Sequence, residues 1–318
     1  MALFLFGRYD NGVKPHRLKF FSALSLFALI MGSCSPESQP ASTESQSIST
    51  ESQSISTEQS TTSSSSSSSN SSTPSPEPKG YYKNVDWSLT GAALKTALFK
   101  TISTGTRDVG YNGLLNAYKT TDITSNGTVW DMYSNERYVY SSGFCGSYSE
   151  EGDGFNREHT IPQSIFSKNS PMRSDLFHVY PTDAYVNNKR NNYPHGNVST
   201  ATYTSHNGGK LGKGNNHGYN KTVFEVVDEY KGDFARTYFY FVTRYQDKMA
   251  NWSYDAFSRN SFPSLASWAI QTYLEWNDKD PVSEKEIKRN EAVYGIQKNR
   301  NPFIDNPDAA HAIWDRSY

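Results

Sequence analysis

Cysteine is almost absent from this chain of 318 residues. The two cysteines are Cys34 and Cys145, and only Cys145 lies in residues 80–318, where all six tryptophans are found. No disulfide can therefore form within that stretch, which excludes the disulfide-stapled class of small exported domains. Packing of apolar side chains must hold its core, and its length is enough for one sizeable domain.

An excess of charge of either sign is also missing. Five of the 31 Lys and Arg residues and six of the 32 Asp and Glu residues lie before Gly80, which leaves 26 of each in residues 80–318. Proteins that coat nucleic acids are usually clearly basic, so any contact with nucleic acid must be local here. A neutral domain favours an enzyme that binds its substrate transiently over a scaffold.

The chain has no apolar run long enough to suggest a membrane-spanning helix, which needs about 20 residues. The run at residues 20–30 is shorter, follows a basic segment and precedes Gly32, Ser33 and Cys34. This order is typical of an export signal that ends in a lipid-accepting cysteine. We predict a lipoprotein-type signal peptide over residues 1–33 and lipidation of Cys34. The alternative is an ordinary signal peptide that is cleaved nearby.

Residues 34–79 are rich in Ser, Thr, Glu, Gln and Pro, with seven consecutive serines at Ser63–Ser69. A repeat of seven residues carries one apolar residue each time, Ile48 and then Ile55. A coiled-coil seam needs two apolar residues per heptad. With so little to bury, the segment is predicted to be a disordered tether between a lipid anchor and a domain.

Apolar periodicity and turn residues predict how residues 80–318 are organised. Helices are predicted at Thr90–Ser103, Leu114–Thr121, Asp233–Gln246, Leu265–Trp276 and Asp280–Tyr294. A strand is predicted at Val129–Tyr133, a long loop at Val198–Tyr219, and the aromatic run Tyr238–Phe241 is expected in the core. The predicted class is α+β, a single domain in which helix dominates.

The segment Asn156–Gly196 holds most of the residues that could carry chemistry. Glu158 and His159 are adjacent in a predicted extended stretch that ends at Pro162. Metal-assisted cleavage of a phosphodiester needs oxygen ligands for a Mg²⁺-type ion and a base whose pKa lies near neutrality. Glu158 fits the first need and His159 the second. The H-E-x-x-H pattern of zinc proteases is absent.

The second half of that segment supplies a further oxygen ligand. A short strand is predicted at Asp175–Tyr180, followed by a helix capped by Thr182 or Asp183. Asn187 would then lie one turn into the helix, with Arg190 on a neighbouring face. Two strands and a helix bearing an amide ligand would form a compact ββα metal-binding unit. The alternative is an Asn-rich loop whose amides only cap backbone groups.

The remaining histidines give weaker signals. His178 is expected to make a structural hydrogen bond. His195, His206 and His217 fall in the predicted loop, and their spacing matches no common zinc pattern. They are expected at the surface, where they and nearby lysines could touch a nucleic-acid backbone.

Several short motifs follow one another along this segment. They are Asn156-Arg157-Glu158-His159, Pro162-Gln163-Ser164, Ser174-Asp175-Leu176, Tyr180-Pro181 and Val186-Asn187-Asn188-x-Arg190-x-Asn192-Tyr193-Pro194. In order and spacing they resemble the bacterial endonuclease I family, which consists of non-specific periplasmic or secreted nucleases with a ββα-metal, or His-Me finger, site. The resemblance implies that His159 is the general base and that Glu158 and Asn187 hold one divalent ion. The ion would normally be Mg²⁺, with Mn²⁺ or Ca²⁺ as alternatives.

The resemblance also implies a reaction. The substrate would be DNA, with RNA as a second candidate, and hydrolysis would leave 5′-phosphate products without reading the bases. Some relatives place a phosphate-binding arginine in an insertion that is short here, and Arg173 and Arg190 are the nearest catalytic candidates. Arg157, Lys189 and Asn192 are candidates for binding nucleic acid.

A different class of function also fits the signal, the tether and the neutral domain. A surface lipoprotein could bind nucleic acid, or act as an adhesin, without cleaving anything. The complete set of Glu158, His159 and Asn187 favours the nuclease, because a pure binder has no need of a base beside metal ligands.

Overall fold

The computed structural model describes residues 80–315, so the predicted signal peptide, the tether and Cys34 lie outside the described residues. The helices are Gly91–Ser103 (α1), Leu114–Thr121 (α2), Ala184–Arg190 (α3), Lys231–Arg244 (α4), Ser267–Lys279 (α5), Glu284–Gln297 (α6), Pro302–Asp305 (α7) and Ala309–Trp314 (α8). The strands are Phe155–His159 (β1), Val179–Asp183 (β2), Val198–Thr204 (β3), Lys210–Gly214 (β4) and Thr222–Glu225 (β5). The predicted α+β class is confirmed.

Strands β1 and β2 pair antiparallel, and α3 follows β2 directly. The register sets Glu158 opposite Tyr180. Asp183 ends the strand and begins the helix, because its Oδ1 accepts hydrogen bonds of 2.8 and 2.9 Å from the backbone N–H groups two and three residues on. The predicted ββα unit is therefore present, with Asp183 rather than Thr182 as the cap.

Strands β3, β4 and β5 form a separate antiparallel sheet in that order. The prediction of a long loop at Val198–Tyr219 was wrong. Most side chains of β3 are exposed, so the apolar alternation that marks a half-buried strand is missing there. Gly212 acts in close packing rather than in a turn, because a Cβ at that position would collide with the backbone oxygen of Thr200 on β3.

Helix α4 forms the centre of the core and packs against α1 and α5. Tyr238, Phe239, Tyr240 and Phe241 are all fully buried, which confirms their prediction as core residues. Burial on most faces explains why this helix carries aromatic side chains on so many sides. The helices predicted at the first two positions of the domain also occur within one residue of the predicted bounds.

Two strand predictions failed because short polar side chains turn the chain. No strand forms at Val129–Tyr133, where the Asp131 carboxylate accepts the backbone N–H of Tyr133 at 2.8 Å. Strand β2 begins at Val179 rather than at Asp175, whose Oδ1 accepts the N–H group two residues on at 3.0 Å. Both are Asx-type turns that compete with an extended backbone.

Helix α6 begins later than predicted. Ser283 and Glu286 form a capping box, so the helix starts at Glu284 and Pro281 lies outside it. Glu284 and Lys288, four residues apart, form an ion pair of 2.9 Å on the exposed face. Within residues 80–315, the helices are all too short or too polar to cross a bilayer.

Candidate active site

Glu158 lies near the end of β1 and is almost fully buried. Its Oε1 accepts hydrogen bonds from Nη1 of Arg190 at 2.7 Å and from the hydroxyl of Tyr133 at 3.0 Å. Oε2 receives no hydrogen bond from any described residue. Burial raises the pKa of the Glu158 carboxyl, and the donors Arg190 and Tyr133 oppose that shift.

Asn187 lies one turn into α3, against the face of β1 that carries Asn156 and Glu158. Its Nδ2 donates to Oδ1 of Asn156 at 2.7 Å and to the backbone oxygen of Arg157 at 3.3 Å. These two bonds set the orientation of the amide, and its Oδ1 accepts nothing from the described residues. A free carboxylate oxygen on Glu158 and a free amide oxygen on Asn187 are ligands that suit a hard divalent ion, which keeps several waters.

His159 ends β1 with its Nε2 3.0 Å from the backbone oxygen of Arg173. A carbonyl oxygen only accepts, so Nε2 carries the proton and Nδ1 keeps a lone pair. Burial, followed by the neighbouring His178, lowers the pKa of His159 to about 3. The ring is therefore neutral at neutral pH and Nδ1 keeps its lone pair, but the pKa lies below the near-neutral value expected of a general base.

His178 makes the structural hydrogen bond expected of it. Its Nε2 lies 2.5 Å from the backbone oxygen of Met172, and its ring centroid is 5.8 Å from that of His159. Burial lowers the pKa of His178 to about 4, so this ring is also neutral. The two histidines thus fix neighbouring carbonyl groups of one 3₁₀ turn, Met172–Ser174.

Arg190 is buried, and each of its five N–H groups has an acceptor. The acceptors are Glu158 Oε1, the backbone oxygens of His159, Thr160 and Tyr193, and the hydroxyl of Tyr254. No donor of Arg190 is left to bind a phosphate. The structure therefore separates it from Arg173, the other catalytic candidate.

Arg173 and Arg157 have guanidinium groups without ionic partners among the described residues. Both lie against the ring of Tyr111, with Cζ atoms 4.0 and 4.2 Å from its centroid, and Arg157 also contacts Phe144 at 4.8 Å. The Nε atoms of both arginines are buried and have no hydrogen-bond partner. The Tyr111 ring stacks on His159 at 6.1 Å. Unpaired guanidinium donors beside the candidate base fit an anionic ligand.

The other predicted nucleic-acid contacts lie around the C-terminal end of α3. Lys189 is half-buried, with its ammonium 4.7 Å from the ring centroid of Tyr185 and without an ion pair among the described residues. Asn192 is exposed just beyond the helix. Neither side chain contacts the candidate base or ligands.

The prediction that His195 lies at the surface was wrong. The residue is fully buried, with Nε2 2.8 Å from the Tyr133 hydroxyl and Nδ1 3.1 Å from the Tyr238 hydroxyl. Its ring stacks on Phe234 with centroids 4.4 Å apart. A backbone β-bridge pairs His195 with Phe224 on β5, so His195 lies beneath the sheet of β3, β4 and β5. The sequence predicted a loop in place of this sheet, and hence nothing that would cover His195.

His206 and His217 do lie at the surface, as expected. His206 pairs with Glu136 at 3.0 Å and His217 with Glu275 at 3.0 Å. Residues 80–315 contain no group of three or more His, Cys, Asp or Glu side chains that could hold a metal. The three histidines of this region therefore do not form a zinc site.

Sequence reasoning missed Tyr111 and Tyr133. Tyr111 sits in the turn Gly110–Gly113, whose glycines predict only a reversal of the chain, and Tyr133 sits in a stretch that resembles a strand. Neither belongs to a motif with His159. The one available signal is an aromatic residue in a polar or glycine-rich turn, where burial of a large ring is otherwise unexpected.

Together these residues define a class of site. A neutral histidine with a free Nδ1, two free oxygen ligands and two unpaired guanidinium groups lie on or against one ββα unit. These are the groups that a nuclease needs to cleave phosphodiester bonds with the help of a divalent ion.

Comparison with known proteins narrows the class to a family. Residues 90–308 match the sequence model of the Endonuclease I family. The chain is 34% identical over 252 residues to the extracellular ribonuclease of Bacillus amyloliquefaciens, and the aligned residues make up 76% of this chain and 80% of that protein. It is also 34% identical over 245 residues to the extracellular ribonuclease of Bacillus subtilis strain 168, covering 74% and 78%. The chain belongs to the endonuclease I family and is a nuclease.

Proposed function

We propose that this protein is an exported endonuclease that hydrolyses phosphodiester bonds of DNA and RNA without regard to sequence, using one divalent ion of the Mg²⁺ type. The state of His159 is the observation that carries this proposal. Its Nε2 is bound to a backbone oxygen, which leaves the lone pair of Nδ1 free to accept a proton. A phosphate anion bound beside the ring would raise the lowered pKa of His159 toward the range of a general base. The names of the two Bacillus relatives support RNA as a substrate and support export.

In the proposed reaction, His159 Nδ1 takes a proton from a water molecule. The water oxygen forms a bond to phosphorus, and the bond from phosphorus to the 3′ oxygen breaks. The leaving 3′ oxygen takes a proton from solvent, so the products carry 5′-phosphates. Glu158 Oε2 and Asn187 Oδ1 would hold the divalent ion. When bound, such an ion stabilises negative charge on the phosphate and the leaving oxygen.

The free guanidinium groups of Arg173 and Arg157 would bind the phosphate, while Arg190 supports the strand that carries Glu158. This assignment follows from the donors that each arginine has left, since those of Arg190 are all used. Contacts to the phosphate backbone carry no sequence information, which accounts for non-specific cleavage.

Plasmid nicking with and without EDTA tests the reaction. We expect cleavage that requires Mg²⁺ or Mn²⁺ and that falls by about 10²–10⁴-fold in His159→Ala. His217→Ala is the matched control, because that histidine is exposed and lies outside the site. Full activity of His159→Ala would contradict the base, and full activity in EDTA would contradict the metal. Binding without any cleavage would favour the non-catalytic lipoprotein.

Substrate range has its own test. Single-stranded DNA, duplex DNA and RNA of equal length are compared at equal concentration and ionic strength. We expect cleavage of all three, because the proposed contacts address the phosphate that they share. Cleavage of RNA alone would show that the 2′-hydroxyl is recognised.

We propose in addition that the exported protein is tethered to a membrane through a lipid on Cys34. The apolar run, the small residues before Cys34 and the polar segment after it support this. Growth with a labelled fatty acid should label the wild-type chain but not Cys34→Ala. Label that persists in the variant would exclude this anchor.

A further inference from the structure

Glu158 belongs to a closed ring of side-chain hydrogen bonds. Its members, in order, are Arg190, Tyr254, Tyr238, His195, Tyr133 and Glu158, with successive distances of 3.4, 3.5, 3.1, 2.8 and 3.0 Å, and a bond of 2.7 Å from Arg190 Nη1 to Glu158 Oε1 closes the ring. Tyr254 is partly exposed, and the other members are buried. We call this set the Glu158 ring.

Elementary chemistry fixes the direction of donation around the ring. A carboxylate only accepts, so Tyr133 must spend its single proton on Glu158. The Tyr133 oxygen can then only accept from Nε2 of His195. Burial, followed by the charge of Arg190, lowers the pKa of His195 well below its usual value, so the ring is neutral and Nδ1 accepts from Tyr238. Tyr133 can therefore only donate to Glu158 and accept from His195.

A second buried carboxylate shows what is special about Glu158. Asp175 accepts on both of its oxygens, with Tyr240 and Tyr245 donating to Oδ2 at 2.9 and 2.7 Å and Gln297 donating to Oδ1 at 2.8 Å. Glu158 is equally buried, yet both of its donors end on Oε1. The surroundings satisfy Asp175 completely and leave one oxygen of Glu158 free.

We propose that Tyr133 and His195 are positioning residues that hold the Glu158 carboxylate with Oε2 presented to the divalent ion. The proposal rests on the ligand role assigned to Glu158 under the proposed function. Rotation of the carboxylate would break the two hydrogen bonds that Oε1 accepts from Arg190 and Tyr133. Because His195 donates to the Tyr133 oxygen, the Tyr133 hydroxyl proton stays directed at Glu158 and opposes this rotation. Groups that orient a ligand in this way typically contribute a factor of about 10–100 to metal affinity.

Titration of the full chain with Mn²⁺ alone, followed by electron paramagnetic resonance of free Mn²⁺, tests this without reference to activity. Tyr133→Phe removes one hydroxyl, and His195→Phe keeps the stacking on Phe234 but removes both nitrogens. We expect the Kd for Mn²⁺ to rise about tenfold or more in each variant. Tyr254→Phe, which opens the ring at its longest bonds, should have a smaller effect in the same direction.

Tyr245→Phe is the matched control. It also removes a buried hydroxyl from a carboxylate, but Asp175 is not a candidate ligand and keeps Tyr240 as a donor. We expect this variant to lose stability without any change in the Kd for Mn²⁺. An equal loss of Mn²⁺ affinity in Tyr245→Phe would show that the effect is only structural and would overturn the proposal.

Glu158→Gln separates failure of this inference from failure of the proposed function. If Glu158→Gln loses Mn²⁺ binding but Tyr133→Phe and His195→Phe bind it like wild type, the positioning role is wrong and the ligand assignment stands. If Glu158→Gln binds Mn²⁺ like wild type, the ligand assignment itself is wrong and the positioning role fails with it. Should Tyr133→Phe not fold, His195→Phe decides the positioning role by the same criterion.

Discussion

The candidate site residues on the two faces of strand β1 are held in opposite ways. On one face, Glu158 is bound by buried donors, and Arg190 has an acceptor for each of its N–H groups. On the other face, Arg157 and Arg173 rest on the ring of Tyr111 and keep buried Nε atoms without partners. We call these the carboxylate face and the arginine face.

This difference predicts whether the loss of a supporting arginine is seen first in stability or in activity. On the carboxylate face, removal of one group leaves a buried polar partner unsatisfied, so the cost appears in folding. On the arginine face the donors are unsatisfied already, so their loss should cost little in folding and much in binding of a phosphate. Stored donors of this kind are common where a site is prepared for a ligand.

Arg190→Met should give the largest effect, and it should appear in stability. The change leaves the Glu158 carboxylate buried with Tyr133 as its one remaining donor. Breaking a buried ion pair by removing one partner costs about 3–5 kcal/mol, which urea unfolding would measure. The double variant Arg190→Met with Glu158→Gln should recover about 1 kcal/mol or more, because the unpaired charge is gone. A loss below about 1 kcal/mol in the single variant would contradict this account of the carboxylate face.

Arg173→Ala should give the next effect, and it should appear in activity. Removing one donor to charge that develops in a transition state costs about 10²–10³-fold in kcat, while the unfolding free energy should change by less than about 1 kcal/mol. Arg157→Ala is the comparison, because the Arg157 guanidinium lies against two rings, those of Tyr111 and Phe144. We expect it to act more on KM and on salt dependence. A large loss of stability in Arg173→Ala would remove the contrast between the two faces.

The sequence predicts the parts of the site that local rules control. The alternation of a strand places Arg157 and His159 on one face and Glu158 on the other. An N-cap at Asp183 sets where α3 begins and hence where Asn187 lies. These features depend on residues a few positions apart, which is why motif order and spacing carry them.

The partners of those residues could not be predicted, because tertiary packing brings them together. Tyr133 and Tyr238 come from distant segments and both bond His195, and Tyr254 joins this group through Tyr238. His195 itself was misplaced because the sheet that covers it has little apolar alternation. The sequence likewise cannot distinguish Arg190 from Arg173 as a phosphate-binding candidate. They differ in how many of their N–H groups already have an acceptor in the folded protein.

Tyr111→Leu should give the smallest effect and is the sharpest test of the arginine face. Leucine keeps an apolar contact but removes the π face against which both guanidinium groups lie. A cation–π contact contributes about 0.5–1 kcal/mol at partly exposed sites, so two contacts correspond to a fall in kcat/KM of about five- to thirtyfold. Steady-state kinetics on a fixed oligonucleotide would measure this at two salt concentrations.

Tyr111→Phe is the control for that variant, because the Tyr111 hydroxyl makes no hydrogen bond with a described residue while the ring carries both contacts. Phenylalanine should therefore retain kcat/KM within about twofold, since the ring quadrupole that attracts the cations is preserved. If leucine and phenylalanine both matched wild type, stacking on Tyr111 would not hold the arginines. If phenylalanine fell as far as leucine, the hydroxyl rather than the ring would matter, and the arginine face would depend on hydrogen bonding as the carboxylate face does.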